Sequence, residues 1–346
     1  GKEVIHTSKF ACGDIVELGY TGNGAGEFTR IQDVTPGDII PLSSMAANWK
    51  VTENGNVLTR FVNEQPTKHA KIVQTVTFYH NDKKIDFDIV LEDFDGEHNR
   101  QYRIAFPMNM MQESQIHYEV PMGVAQVGKD ELGIQPGGWA WGGTYVHHPK
   151  DTHPREILNF ISANGNGMGV TMSSCVAVAD WLDPSREMAS YPILQGILLS
   201  SHKSCHGEGN WYAQKGTHKF HFSLSSHSEG WKNGYCFGVG ENHPLFVKEK
   251  TNNIGKLPDN YSFMNVSDPF VGVSVIKKSD RDNNMIIRLV EMEGKDKEVV
   301  LTLPEEVKGV IRTNLIEQEE EVLPLSGKVL RLKMGHHAIE TFKILL

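Results

Sequence analysis

Three groups of residues have the types and spacing to do chemistry. A glycosidase that retains anomeric configuration needs two carboxylates about 5 Å apart, and with 43 Asp and Glu in 346 residues such pairs are common. Asp86 and Asp88 fall on one face of a strand, where a solvated face is the simpler reading. His202-Lys203-Ser204-Cys205-His206 has a spacing that can begin a zinc site. A closed zinc site takes four ligands, and no second pair stands out, so a loop is the simpler reading. His336-His337 reads as a turn. The third group is the richest. Trp139, Trp141, His147, His148 and His153 share a stretch punctuated by Gly137-Gly138 and Gly142-Gly143, and Asp180-Trp181-Leu182-Asp183-Pro184-Ser185-Arg186 follows. Indoles pack on the C–H faces of sugar rings, while imidazole, carboxylate and the forked guanidinium of Arg186 match hydroxyl groups. The rival readings are that the indoles, Trp181 and Trp211 included, cap a core, and that 180–186 is a surface turn.

These residues have to be positioned by strands, because the sequence alternates with period two nearly everywhere. In 84–91, Ile85, Phe87, Ile89 and Leu91 share one face and Asp86 and Asp88 the other, the pattern of a half-buried strand. Residues 218–225 repeat it with Phe220, Phe222 and Leu224 inward, and Ile72, Val76 and Phe78 carry another strand. Residues 285–290 and 298–303 are more continuously apolar, as strands packed on both faces are. Asn54-Gly55, Asn81-Asp82, Asp95-Gly96, Glu293-Gly294 and Ser326-Gly327 read as turns. Helical periodicity is nearly absent; residues 184–189 suit one turn at most. Segments 128–156 and 200–217 are too long and too aromatic for simple connectors. Polar clusters near 250–262 suggest a boundary between a larger domain, 1–255, and a smaller β-sandwich, 262–346.

Composition supports a packed chain. Apolar residues make up 39% and charged residues 22%, so disorder is not the expectation. A net charge of −9 and a pI near 6.0 exclude a basic, phosphate-neutralising nucleic-acid partner. No apolar run approaches the roughly 20 residues that span a bilayer, and no signal peptide is visible, so no membrane partner is expected. The opening Gly1-Lys2-Glu3 reads as the middle of a protein. Cys12, Cys175, Cys205 and Cys236 are scattered, and buried free thiols are expected.

The order of short motifs resembles the C-terminal region of the family 38 α-mannosidases. Phe78-Tyr79-His80-Asn81 with Ile85-Asp86-Phe87 resembles the opening strand pair, Ile104-Ala105-Phe106-Pro107 the next strand, and Tyr118-Glu119-Val120-Pro121-Met122-Gly123 the segment after it. Gly169-Val170-Thr171, residues 194–200, residues 216–224 and Asn242-His243-Pro244-Leu245 follow in the family's order, with Ser201 where an Arg is common. Residues 273–278, 286–291 and 340–344 resemble the closing hairpin and last strand.

That resemblance implies an all-β fold, a galactose-mutarotase-like supersandwich followed by a small β-sandwich. It implies a retaining α-mannosidase as the parent, whose zinc and nucleophilic Asp belong to an N-terminal catalytic domain, with no catalytic residue, metal or other cofactor in this chain. The expected partners are that domain and α-mannoside glycans. Segment 180–186 corresponds in position and charge, though not in letters, to a loop that reaches toward the catalytic domain. The expected carbohydrate contacts are Trp139, Trp141, His147, His148, Asp180, Asp183 and Arg186. Two rival functions stay open: a non-catalytic carbohydrate-binding module and an aldose epimerase, for which a His and a carboxylate would have to converge on one sugar.

Overall fold

The computed structural model describes residues 2–6, 9–21, 33–110, 114–131, 139–140, 143–144, 154–185, 189–203, 211–249, 255–304 and 307–346. The chain divides into two compact units, one of residues 1–120 with 125–244 and one of 245–346 with 121–124. Among the described residues the structure is almost wholly antiparallel sheet, as expected, and no helix is long and apolar enough to cross a membrane.

The larger unit is built on two sheets. In one, strands run in the order Arg155–Glu156, Val178–Asp180, Ile193–Lys203, Arg100–Pro107, Asp14–Thr21 and Asp33–Pro41, with Trp211–Tyr212 paired to Ile193–Lys203. In the other, a nine-stranded sheet, eight strands run Lys50–Asn54, Leu58–Pro66, Lys71–Tyr79, Ile85–Phe94, Gly216–His227, Met168–Ser174, Phe160–Gly165 and Gln115–Val120. Alternation dictates what lies between them. Phe87, Ile89 and Leu91 are at most 2% exposed, and Phe222 and Leu224 join them because Phe222 pairs with Phe87 and Leu224 with Ile85. From the facing sheet come Tyr102, Ile104 and Phe106, with Phe87 and Phe106 edge-to-face at 4.9 Å between ring centres. Each such side chain removed from water stabilises the fold by roughly 1.5–3 kcal/mol.

The outer faces carry the departures from the expected pattern. The single described α-helix, α1 (Lys232–Gly240), lies on the outside of the nine-stranded sheet. Three of its nine residues are glycine, and two of them, Gly234 and Gly238, touch Thr171, His227 and Phe160 so closely that a Cβ there would sit under 3 Å away. Residues 184 and 185, where one helical turn was expected, form a turn, and 186–188 lie outside the described residues. Asp86, expected on a solvated face, is 5% exposed, because Tyr79, Lys84 and Glu241 close over it. Cys12, Cys175 and Cys236 are free, but at exposed positions rather than buried ones.

The smaller unit is a two-sheet sandwich. One sheet orders Asn265–Val266, Lys297–Thr302, Val329–Met334 and Leu325–Ser326; the other orders Val271–Lys278, Met285–Glu291, Ile339–Leu345, Gly309–Thr313 and Glu319–Leu323. Leu289, Leu301, Leu330 and Phe342 are fully buried between them. Gly294 and Gly327 hold φ of 74° and 59° at two of the expected turns, a region glycine enters without a Cβ penalty.

Candidate functional site

The two segments singled out for their aromatic and polar residues meet at their feet. Strand Arg155–Glu156, which ends the first segment, pairs with Val178–Asp180, which begins the second, in the register Arg155↔Ala179. Two short backbone pairings, Trp139↔Thr144 and Ala140↔Gly143, lie within the first segment. Trp141, His147, His148, His153 and Arg186 lie outside the described residues, as does the side chain of Trp139.

Glu131 and Arg155 close the base of the first segment. Arg155 Nε donates to Glu131 Oε1 at 2.6 Å and Nη2 to Oε2 at 3.1 Å, a forked pair. Tyr118 OH donates to Oε1 at 2.6 Å and the Gly128 amide to Oε2 at 2.9 Å. Burial alone would raise the Glu131 pKa, but hydrogen bonds from Arg155, Tyr118 and Gly128 more than offset it and hold the carboxyl below its ordinary value. Burial and the neighbouring Glu131 push the Tyr118 hydroxyl well up. The guanidinium carbon of Arg155 also lies 5.2 Å from the centre of the Trp181 ring, within cation–π range. One arginine thus ties both segments together.

The acidic residues of the second segment turn inward. Asp180 is fully buried; its Oδ2 accepts from Arg103 Nη1 at 2.9 Å and its Oδ1 from the amides of Trp181 and Leu182 at 2.8 and 3.3 Å. Arg103 Nη1 also donates to Gln195 Oε1 at 3.1 Å. Asp183 accepts from Lys9 at 3.3 Å and from the Ser185 amide and hydroxyl at 2.8 and 2.6 Å. In this arrangement both carboxylates brace the segment, and Trp181 is 6% exposed.

A second constellation was not foreseen. His221 Nδ1 is 2.7 Å from Asp88 Oδ1, and its Nε2 is 3.3 Å from Ser223 Oγ. The order is that of a nucleophilic triad, yet Ser223 is wholly buried and its hydroxyl donates to Asp86 Oδ1 at 2.5 Å. Tyr79 OH donates to Asp86 Oδ2 at 2.7 Å, and Lys84 bridges Asp86 and Glu241 at 3.4 and 2.8 Å. A hydroxyl with its proton committed to a carboxylate and no route to a substrate is a structural link, here between the sheet and the end of α1. The readable signal was an H-x-S strand opposite a D-x-D strand, with Asp88↔His221 and Asp86↔Ser223 in register. His117 is a third group outside the expected set: buried, with Nδ1 lacking a partner among the described residues and its pKa lowered by burial to about 4.

Of the H-x-x-C-H segment, His202 Nδ1 lies 3.1 Å from the Ser200 carbonyl, and Cys205 and His206 fall outside the described residues. Among the described residues no three His, Cys, Asp or Glu side chains are placed to hold a metal ion.

Residues 271–342 match the glycosyl hydrolases family 38 C-terminal β-sandwich domain. Two solved structures share the fold along 95% of the chain: an α-mannosidase from Enterococcus faecalis V583, at TM-score 0.68 and 15% identity, and a protein in the glycosyl hydrolase family 38 from Enterococcus faecalis, at TM-score 0.68 and 14% identity. The chain spans 38% and 40% of those two proteins. A galactose mutarotase-like protein from Lactobacillus casei ATCC 334 is similar at TM-score 0.30 and 10% identity, over 61% of this chain and 84% of that one. No curated protein sequence matches. Residues 271–342 thus resemble the family 38 C-terminal β-sandwich domain, and the chain shares its fold, along 95% of its length, with two family 38 structures.

Proposed function

We propose that this chain is the accessory β-region of a retaining, zinc-dependent α-mannosidase whose metal and nucleophile belong to an N-terminal catalytic domain. The observation that carries the reading is the family 38 domain at 271–342 at the end of a chain that shares the fold of an α-mannosidase along 95% of its length. A retaining mechanism needs a nucleophile and an acid some 5 Å apart. The carboxylates described above are engaged otherwise: Asp86 with Ser223 and Tyr79, Asp180 with Arg103, Glu131 with Arg155. The work left to this region is to support the catalytic domain and build one wall of its cleft.

In this reading the Arg155–Glu131 pair holds the feet of two segments that face an α-mannoside. Asp180 and Asp183 brace the second segment, while Trp139, Trp141, His147, His148 and Arg186 meet the sugar. Rigid sheets carrying irregular segments are how such scaffolds present sites. The test is Trp141→Ala and Arg186→Ala in the longer enzyme. Both are expected to lower kcat/KM for an α-mannoside while leaving the melting temperature of the 346-residue chain unchanged. A large loss of chain stability with normal activity per folded enzyme would make these residues caps of the fold and remove them from the cleft.

A further inference from the structure

The smaller unit contains a cleft of about 490 Å³, lined by residues 312–315, Glu320, Lys333 and residues 339–341. That volume lies within the range of small-molecule sites. Its frame is fixed by hydrogen bonds among the lining residues and their neighbours. Arg312 is held by Glu321 at 2.7 Å through Nη1 and by Glu340 at 3.1 Å through Nε. Asn314 Oδ1 accepts the Ile316 and Gln318 amides at 3.1 and 3.0 Å, which sets the bend after strand Gly309–Thr313. Arg288 supports the wall from behind, donating to Thr341 Oγ1 and to the Leu315 carbonyl, both at 3.0 Å.

Two polar groups of the lining have no partner among the described residues. Lys333 and Glu320 are exposed and form no ion pair. The lining is also balanced in charge, with Arg312 and Lys333 against Glu320 and Glu340. Two carboxylates disfavour an anion and two cations disfavour a cation. A neutral ligand with many hydroxyl groups, each both donor and acceptor, satisfies all of them. Leu315 and Ile339, 56% and 36% exposed, give aliphatic surface for the C–H face of a ring.

We propose that this cleft binds one residue of a neutral saccharide, a site on the small sandwich separate from the segments assigned above to the mannosidase cleft. It anchors glycan and takes no part in bond cleavage, so it does not depend on the mannosidase reading. The test is saturation-transfer NMR on the 346-residue chain with methyl α-mannopyranoside and methyl β-glucopyranoside, with alanine as a zwitterionic control. Lys333→Met and Glu320→Gln, both at exposed positions, are the variants, and melting temperature is measured for each. We expect saturation transfer to at least one glycoside, none to alanine, and a Kd raised about fivefold or more in each variant, the worth of one hydrogen bond, with melting unchanged. No transfer to either glycoside, transfer to alanine instead, or an affinity indifferent to both substitutions would overturn the proposal.

Discussion

Two histidines give the larger unit opposite responses to pH. His117 is buried without a partner for Nδ1 among the described residues, and burial lowers its pKa from 6.5 to about 4. A depressed pKa contributes stability that is present above 6.5 and lost as pH falls toward 4, because the unfolded chain takes up the proton first. His221 is the reverse: its hydrogen bond to Asp88 raises the pKa above 6.5 and outweighs burial. Its contribution is present below 6.5 and lost as pH rises through the folded value. Melting temperature measured across this range should therefore flatten on the acid side in His117→Leu and on the alkaline side in His221→Asn. Unchanged profiles would mean that neither imidazole titrates as its surroundings require. Little of this was readable beforehand. His221 opposite Asp88 follows from the register of two strands, which alternation implies, but the burial of Asp86 depends on Lys84 and Glu241 closing over a face that alternation leaves to solvent.

The strands were legible and α1 was not, for a physical reason. Residues 85–91 and 218–225 alternate because one face of each meets the opposite sheet. In α1 three glycines in nine residues lower helix propensity. The helix persists because Gly234 and Gly238 let it lie against Thr171, His227 and Phe160, a tertiary gain that a local pattern does not display. Gly238→Ala is expected to destabilise by about 1–3 kcal/mol through overpacking, because its Cβ would sit 2.6 Å from Phe160 Cγ. Gly240→Ala, with nothing within 4 Å, should be neutral or stabilise by under about 1 kcal/mol. Denaturant melts of the two variants separate these outcomes, and equal effects would contradict the packing role. The clamp at the foot of the aromatic segment belongs to the same scale. Arg155 and Glu131 are 24 residues apart, with side chains 13% and 10% exposed, so no sequence spacing joins them. Arg155→Ala should cost about 3 kcal/mol by leaving Glu131 buried without its partner, and restoring stability by Glu131→Met in that background is the confirming measurement.

At the scale of the molecule, the proposed function divides labour between this β-region and a separate catalytic part. The candidate residues of the aromatic segment were chosen from composition, and the structure adds what composition lacks: the two segments are joined at Arg155 and Trp181. It also turns Asp180 and Asp183 inward, which their position in an acidic, arginine-containing loop did not indicate. The central claim is that the chemistry lies outside residues 1–346. The direct measurement is hydrolysis of an aryl α-mannoside by the purified 346-residue chain, with and without added zinc. No turnover above buffer is expected, because a placed nucleophile and acid are both required. Turnover that a point mutation within this chain abolishes would contradict the account.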